Sequence, residues 1–233
     1  RGDKRRLEEI RILPDKTNKF LNHKKYSEKE IQNLSREDII DNLTKSGVWP
    51  NLIQRPFGLV ADSEVEPKSI HISFFDSSPL APNYSFIYKE ELENIEFGLL
   101  VLSKLTNGKI HLNHNSESIK YFKNDKYQNN EFSGPHPSGN VGVQIHHIDP
   151  VNKNDIVWST TPAGLIQIGK LFSKGIYDAS KIISLVGSSV EKPMYYRCLS
   201  GFSVNDIISK NVSDENVRVI SGNVLTGTSI GNE

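Results

Sequence analysis

One stretch in the first half of the chain predicts a strand, a helix and a second strand in succession, and this order limits the fold more than any other feature. Residues 70–75 are mostly apolar, as in a buried strand. In residues 90–106 leucine and isoleucine recur at helical spacing, and Asn107-Gly108 ends the pattern. Residues 109–112 predict the next strand. A strand, a crossover helix and a strand in this order predict parallel neighbours in an α/β sheet.

The region before this stretch predicts less regular structure. Residues 4–13 are interpreted as a strand. Ser35 is a predicted N-cap followed by acidic residues in the first helical turn, and Gly47 is the predicted stop of that helix. The following segment, through Pro50 and Pro56, is interpreted as irregular.

The region after the second strand predicts further alternation. Residues 155–158 predict a strand, and Thr161 with Pro162 predicts the start of a helix that ends at Gly175. Two strands within residues 181–199, a helix capped by Ser203 and a strand over 217–220 follow. This is the order of a small β-grasp domain, although other α+β layouts also fit.

Charge balance and cysteine content exclude several kinds of partner and cofactor. Lys plus Arg and Asp plus Glu number 28 each, so no net field attracts nucleic acid or anionic lipid. A single cysteine, Cys198, excludes an internal disulfide, a cysteine-based zinc site and an iron–sulfur cluster ligated by this chain. No apolar run approaches the length of a transmembrane helix. The chain begins without methionine, so we expect it to be part of a longer protein.

The segment over residues 134–150 concentrates glycine, proline and histidine. Its glycines could let backbone amides approach a phosphate. Pro135 and Pro137 lack an amide hydrogen, however, so a rigid connector is the better interpretation. His146 and His147 are adjacent and therefore face different ways, and no metal-ligand spacing accompanies them. We predict no metal site here.

Several other positions carry candidate ligand-binding side chains. Asp76 follows a predicted strand, where ligands bind in open α/β sheets, although a turn explains it equally simply. Trp49, Arg55 and Phe57 could contact a flat ring or a partner protein, or could pin a loop to the core. The hydroxyls of residues 159–161 could bind a ligand or cap a helix.

Five separated motifs carry a resemblance that extends over nearly the whole chain. They are Ser46-Gly47-Val48-Trp49 with Gln54-Arg55-Pro56-Phe57, Asp76-Ser77-Ser78-Pro79-Leu80-Ala81, the stretch from Leu102 to Lys109, the segment from Gly134 to Pro150, and the stretch from Ile220 to Gly227. In these motifs the chain resembles the A-subunits of the sodium-translocating NADH:quinone reductases.

The resemblance implies a fold and a cellular role. It implies a Rossmann-like domain without a nucleotide loop over residues 1–178 and a β-grasp domain over residues 179–233. It also implies a peripheral subunit on the cytoplasmic face of the bacterial inner membrane, with no span of its own. The complex would pass electrons from NADH to ubiquinone and export sodium, with the flavins and iron–sulfur centres on other subunits. This chain would bind no cofactor, ubiquinone being a substrate of the complex.

The resemblance also directs the choice of candidate residues. Arg55 and His136 are candidate donors to quinone carbonyls, Trp49 and Phe57 are candidate walls, and Asp76 is a separate ligand-site candidate. No residue is assigned a catalytic or metal-binding role. Two alternatives stay open: a flavin- or dinucleotide-binding oxidoreductase domain, and a pure interaction module that docks other subunits.

Overall fold

A six-stranded sheet organises the first part of the chain. The computed structural model describes residues 10, 12–13, 20–118, 123–212 and 216–230. The strands of the sheet are β1 (Ile53–Arg55), β2 (Leu59–Val60), β3 (Ser69–Ser73), β4 (Lys109–His114), β5 (Gln128–Glu131) and β6 (Val157–Thr160).

The helices begin and end at residues suited to those positions. Ser27 and Ser35 cap the first two helices with reciprocal side-chain hydrogen bonds to the third helical residue. Thr161 caps a later helix that has Pro162 in its first turn and ends at Gly175 in the left-handed conformation. The helices are α1 (Glu28–Asn33), α2 (Arg36–Lys45), α3 (Tyr84–Ile87), α4 (Leu92–Leu102), α5 (Val141–Ile148), α6 (Pro162–Lys174) and α7 (Asn205–Asn211).

The order of the strands in the sheet is β2-β1-β6-β3-β4-β5. The strands β6, β3, β4 and β5 are parallel, and β1 pairs antiparallel with β6. The predicted parallel pair joined by a helix is therefore confirmed, with α4 between β3 and β4 along the chain. The chain moves outward from β3 to β4 and β5, and then returns to place β6 on the other side of β3. The strand order thus reverses between β3 and β6.

The two faces of the sheet differ in chemistry. Ile70 and Ile72 point to one face and join a hydrophobic core with Trp158 and residues of α4 and α6. The alternate residues Ser69 and His71 face the other way and are fully buried. Helix α5 contacts β3. The core therefore lies on the α4–α6 side, and a buried polar layer lies on the opposite side.

The last part of the chain forms two antiparallel strand pairs and a helix. Strand β7 (Ser180–Leu185) pairs with β8 (Met194–Leu199), and after α7 strand β9 (Val219–Ser221) pairs with β10 (Thr228–Ile230). This part touches the first through Tyr195, whose hydroxyl accepts a 3.0 Å hydrogen bond from the Asn83 amide. The predicted order of two strands, a helix and a further strand is present, with β10 in addition.

Several sequence interpretations were wrong in detail. The segment through Pro56 is not irregular, because it contains a short 3-10 helix (Trp49–Asn51) and the β1–β2 hairpin. Helices α1 and α5 were missed, since both are short and neither has a long apolar stripe. Val204 rather than Ser203 precedes α7. The proposed strand over residues 4–13 lies mostly outside the described residues, and Ile10, Ile12 and Leu13 are in no strand.

Candidate functional site

A cavity of about 620 Å³ opens at the carboxyl ends of β3 and β6, where the strand order reverses. Ligands bind at such a position in open α/β sheets, because connections that leave the two strands in opposite directions open a crevice. We call this cavity the switch-point crevice. It is lined by Asn51, Ile53, Arg55, Ser73, Phe75, Asp76, Tyr84, Gly139, Asn140, Val141, Gly142, Val143, Ser159, Thr160, Thr161, Pro162 and Asn223.

Arg55 brings a positive charge to the crevice. It is the last residue of β1 and pairs opposite Val157 at the amino end of β6, and its side chain extends along β6 toward the crevice. Its Nε donates a 3.3 Å hydrogen bond to Ser159 Oγ. Its two Nη atoms have no hydrogen-bond partner among the described residues. A guanidinium with free Nη atoms can donate to carbonyl, carboxylate or phosphate oxygens.

Asp76 brings a negative charge to the same crevice. Its Oδ1 accepts hydrogen bonds from the Ser78 amide at 2.9 Å and from Ser78 Oγ at 2.6 Å, as in an Asx turn. Tyr84 lies nearby: burial, and then the charge of Asp76, raise the pKa of its phenol. Asp76 therefore shapes the turn after β3, as one interpretation of the sequence expected. It also lines the crevice, and its role as a ligand site stays a prediction.

The glycine-rich loop packs on the turn that follows β3. The Gly139 amide donates a 2.8 Å hydrogen bond to Ser77 Oγ. A Cβ at Gly139 would lie 2.4 Å from the Ser77 nitrogen, so no larger residue fits there. The loop then leads directly into α5, whose first residues line the crevice. Pro135 and Pro137 lie before this contact and do not line the crevice.

The remaining sequence candidates lie outside the crevice lining. Trp49 is 7% exposed, and its Nε1 donates a 2.8 Å hydrogen bond to the Ala61 carbonyl, which places it in the core. Phe57 is 77% exposed in the turn between β1 and β2. The Nδ1 atom of His136 lies 3.3 Å from Ser77 Oγ. The structure thus brings Arg55 and Asp76 together at one crevice but not Trp49, Phe57 or His136.

Sequence reasoning did not assign the hydroxyls and amides of this crevice to one site. Thr161 caps α6 by accepting a 3.1 Å hydrogen bond from the Gly164 amide, so capping explains that hydroxyl. Thr160 differs, because its buried Oγ1 has no partner among the described residues. The run of hydroxyl residues between a strand and a proline was the available signal. The start of α5 was not recognised, although asparagine is favoured at N-caps; in the structure the side chain of Asn140 makes no capping bond.

A second cavity, of about 310 Å³, lies within the last part of the chain. It is mainly apolar and lies between the two strand pairs and α7. Its apolar lining residues are Ile183, Leu185, Leu199, Phe202, Val204, Ile207, Ile208, Val219, Ile220 and Ile230.

The described ranges contain no group of three or more histidine, cysteine, aspartate or glutamate side chains that could hold a metal ion. Cys198 is a free thiol whose pKa is raised by burial, with the opposing charge of Lys181 as the smaller effect. None of the helices in these ranges is long and apolar enough to cross a membrane.

Two family models match the chain in succession. The first, described as the NqrA second alpha/beta domain, matches residues 34–177. The second, described as the NQRA C-terminal domain, matches residues 182–231. The switch-point crevice, apart from Asn223, lies within the first of these ranges.

Curated relatives carry a consistent name. Proteins named as the A-subunit of the Na(+)-translocating NADH-quinone reductase, from Neisseria meningitidis serogroup B and from a Marinomonas species, are 37% identical to this chain over 97% of its length. A protein of the same name from Yersinia pestis is 34% identical over 98% of it. The matched region is 51% of each of these proteins, so the chain spans about half the length of the curated relatives it matches.

A solved structure shares the fold at low sequence identity. A chain of the NAD+-reducing [NiFe]-hydrogenase in the H2-reduced state superposes with a TM-score of 0.53 and 9% identity. The match covers 76% of this chain and 39% of the hydrogenase chain. At this identity the likeness concerns the fold alone.

Proposed function

The chain belongs to the family of A-subunits of the Na(+)-translocating NADH-quinone reductase, and from this premise we propose that it is part of a peripheral subunit of a membrane redox complex. The consecutive family matches over residues 34–177 and 182–231 carry the proposal. We further propose that its partners are the other subunits of the complex, that it lies on the cytoplasmic face of the membrane, and that it holds no redox centre of its own.

The finer description of the fold is part of the same proposal. The strand order of the parallel part of the sheet reverses beside β3, the first of its parallel strands in the chain. This reversal supports a Rossmann-like domain. Two strands, a helix and two further strands support a β-grasp domain after it. We place the boundary between residues 178 and 179.

Co-purification tests the assignment to a complex. The full-length protein, tagged in its native membranes and solubilised in mild detergent, should be recovered with flavin-bearing subunits and with sodium-stimulated NADH:quinone activity. Recovery as a free protein, in preparations whose membranes retain that activity, would contradict the assignment.

We propose that Arg55 and Asp76 are the crevice residues that approach a quinone headgroup. The free Nη atoms of Arg55 can donate to a quinone carbonyl, and the crevice volume lies within the usual range for ligand sites. Phe57 and His136 stay candidates for outer contacts. Trp49 is buried, so we expect it to support the site from the core and not to form a wall.

Arg55→Gln in the full-length protein of the assembled complex tests the quinone contact. Loss of a charged hydrogen bond to a carbonyl should raise the KM for quinone about tenfold. Arg218→Gln, which removes a charge outside the crevice lining, is the matched control. Equal KM values for the two variants would remove Arg55 from the quinone site.

A flavin- or dinucleotide-binding domain is the second candidate, because the crevice lies at the position that holds dinucleotides in related sheet topologies. This candidate predicts that FMN or NADH raises the melting temperature of the chain through linkage. A colourless protein whose melting temperature neither compound changes would exclude it.

A further inference from the structure

We propose that the cavity of about 310 Å³ in the last part of the chain binds a fatty acid, with the alkyl chain inside the cavity and the carboxylate beside Lys181. We call this cavity the strand-pair cavity. Both the site and the ligand differ from those of the proposed function, because the switch-point crevice lies in the first part of the chain and a quinone is neutral. The binding of a fatty acid is also independent of whether the chain assembles into a redox complex.

The β7–β8 hairpin turns one face to the first part of the molecule and the other face to the strand-pair cavity. On the first face, Ile182 packs against the hydrophobic core, and the Tyr195 hydroxyl accepts the hydrogen bond from the Asn83 amide. The alternate residues Lys181 and Ile183 point the other way and line the cavity. The first part of the molecule therefore covers one face of the hairpin, whereas open volume adjoins the opposite face.

The apolar lining of the strand-pair cavity is not buried by the protein itself. None of the described residues after Gly175 is buried. Helix α7 contributes Ile207 and Ile208 to the lining, yet it has no buried residue. Apolar side chains in such a position lack the hydrophobic and dispersion contributions that close packing provides. An alkyl chain in the cavity would supply these contacts.

The volume of the strand-pair cavity suits one alkyl chain of moderate length. A cavity of about 150 Å³ lined by Leu, Ile and Phe takes up a benzene ring, which has six carbon atoms. In proportion, the volume of about 310 Å³ has room for about twelve carbon atoms. A single fatty acid chain of about this length fits. A phospholipid does not, because it carries two chains that are each longer.

Lys181 favours an anionic head group at the rim of the strand-pair cavity. It is the only charged residue in the described lining, which contains no aspartate or glutamate. Lys181 is exposed, and its Nζ has no ion-pair partner among the described residues. Its charge acts on Cys198, which pairs with it across the hairpin: burial raises the pKa of the thiol, and Lys181 opposes this shift. A carboxylate at the rim would pair with the ammonium group while its chain stays in the cavity.

Isothermal titration calorimetry with dodecanoate and with dodecanol, on the whole chain and on the full-length protein, tests the proposal. The two ligands have the same alkyl chain, and only dodecanoate is charged. We expect saturable binding of dodecanoate, about fivefold tighter than that of dodecanol, because it adds one exposed ion pair. Lys181→Met should remove this difference. Lys210→Met, which removes an exposed lysine of α7 outside the cavity lining, should retain it.

Cys198 reports where the ligand binds. It is the only cysteine of the chain, and it lines the strand-pair cavity. Dodecanoate should therefore slow the reaction of this thiol with N-ethylmaleimide.

A second variant separates loss of binding from loss of fold. Ile183→Phe fills the cavity from β7, and phenylalanine is favoured in strands. This variant should melt at the same or a higher temperature, because its larger side chain occupies open volume. It should bind neither dodecanoate nor dodecanol.

Several results would overturn the proposal. These are an absence of saturable dodecanoate binding, no protection of Cys198, and equal dodecanoate affinity of Lys181→Met and Lys210→Met. Binding by the chain of 233 residues but not by the full-length protein would assign the cavity to a segment of that protein outside these residues. Displacement of dodecanoate by decylubiquinone at equal concentration would assign it to the quinone. None of these results affects the co-purification test, so the two proposals can fail separately.

Discussion

Gly169 is a residue at which helices α4 and α6 come into direct backbone contact. A Cβ there would lie 1.8 Å from the Asn94 carbonyl oxygen, which belongs to the backbone of α4 and cannot rotate away. Across the same contact, a Cβ at Gly98 would lie 2.5 Å from the Leu165 carbonyl oxygen. Gly169→Ala should lower the free energy of unfolding by roughly 2 kcal/mol, because overpacking outweighs the gain of about 1 kcal/mol in helix propensity. Urea unfolding followed by circular dichroism measures the change.

Gly142 provides the control for this prediction. A Cβ there meets no atom within 4 Å, and its φ is not in the left-handed region, so Gly142→Ala should be neutral or slightly stabilising. The two variants make the same chemical change in two helices with opposite surroundings. If both have the stability of the unmodified chain, α4 and α6 are not in backbone contact at Gly169.

Strands β3 and β4 each contribute one histidine to a stacked pair. This pair makes the free energy of unfolding depend on pH. The rings of His71 and His111 lie 4.3 Å apart and nearly parallel. Burial, and then the charge of His111, lower the pKa of His71 to about 3, while Asp149 opposes the shift. Burial also lowers the pKa of His111, where Asp149 opposes the shift and Lys109 adds to it. The native chain therefore holds both rings neutral under conditions in which the unfolded chain binds protons.

The sign of the pH dependence follows from these lowered pKa values. Above about pH 6.5 both states are neutral at these sites and the histidines add no pH dependence. As pH falls from about 6.5 toward 3, the unfolded state binds a proton at His71 that the native state does not, and the free energy of unfolding decreases by up to about 1.4 kcal/mol per pH unit. The lowered pKa of His111 acts in the same direction. His71→Asn should reduce this slope. Urea unfolding between about pH 7 and pH 4 measures it, and an unchanged slope in the variant would contradict the prediction.

The same elements show which parts of the fold sequence reasoning could reach. Helices α4 and α6 were predicted because their apolar residues follow the helical period. Helix α6 also carries recognisable end signals, Thr161 with Pro162 at its start and Gly175 at its end. Helix α5 was missed because it buries a polar residue, Gln144, which bonds to Asn113 in the polar layer under the helix. A helix that covers a polar face has no apolar stripe by which to recognise it.

The crevice could not be predicted from local sequence, because it is formed by residues far apart in the chain. Asp76 was predicted as a candidate because its position after a strand is a local feature. The proximity of Asp76 to Arg55 was not predicted. This proximity depends on the pairing of β1 with β6 and on the return of the chain from β5 to β6. Local sequence predicts single elements, whereas the order of strands depends on contacts between residues far apart in the chain.

One buried lysine fixes the end of the first part of the molecule, next to the connection to β7. Lys170 of α6 lies 2.7 Å from Glu91, just before α4, and 2.9 Å from Asp178, two residues before β7. Its side chain is only 10% exposed. Burial alone would lower the pKa of Lys170, but the hydrogen bonds with Glu91 and Asp178 raise it, so the cation is retained. The cation of Lys170 therefore offsets the cost of burying the charges of Glu91 and Asp178.

Lys170→Met should thus lower the free energy of unfolding by about 3–5 kcal/mol, because it leaves two largely buried carboxylates without their cation. It should also increase proteolysis of the connection after Asp178, since one of the contacts that fix this connection is lost. Lys45→Met is the matched control: its pair with Asp41 is exposed on α2 and contributes little. Urea unfolding and limited proteolysis of both variants measure the difference. Equal stability of the two would show that the Lys170 cluster does not stabilise the fold or fix the connection to β7.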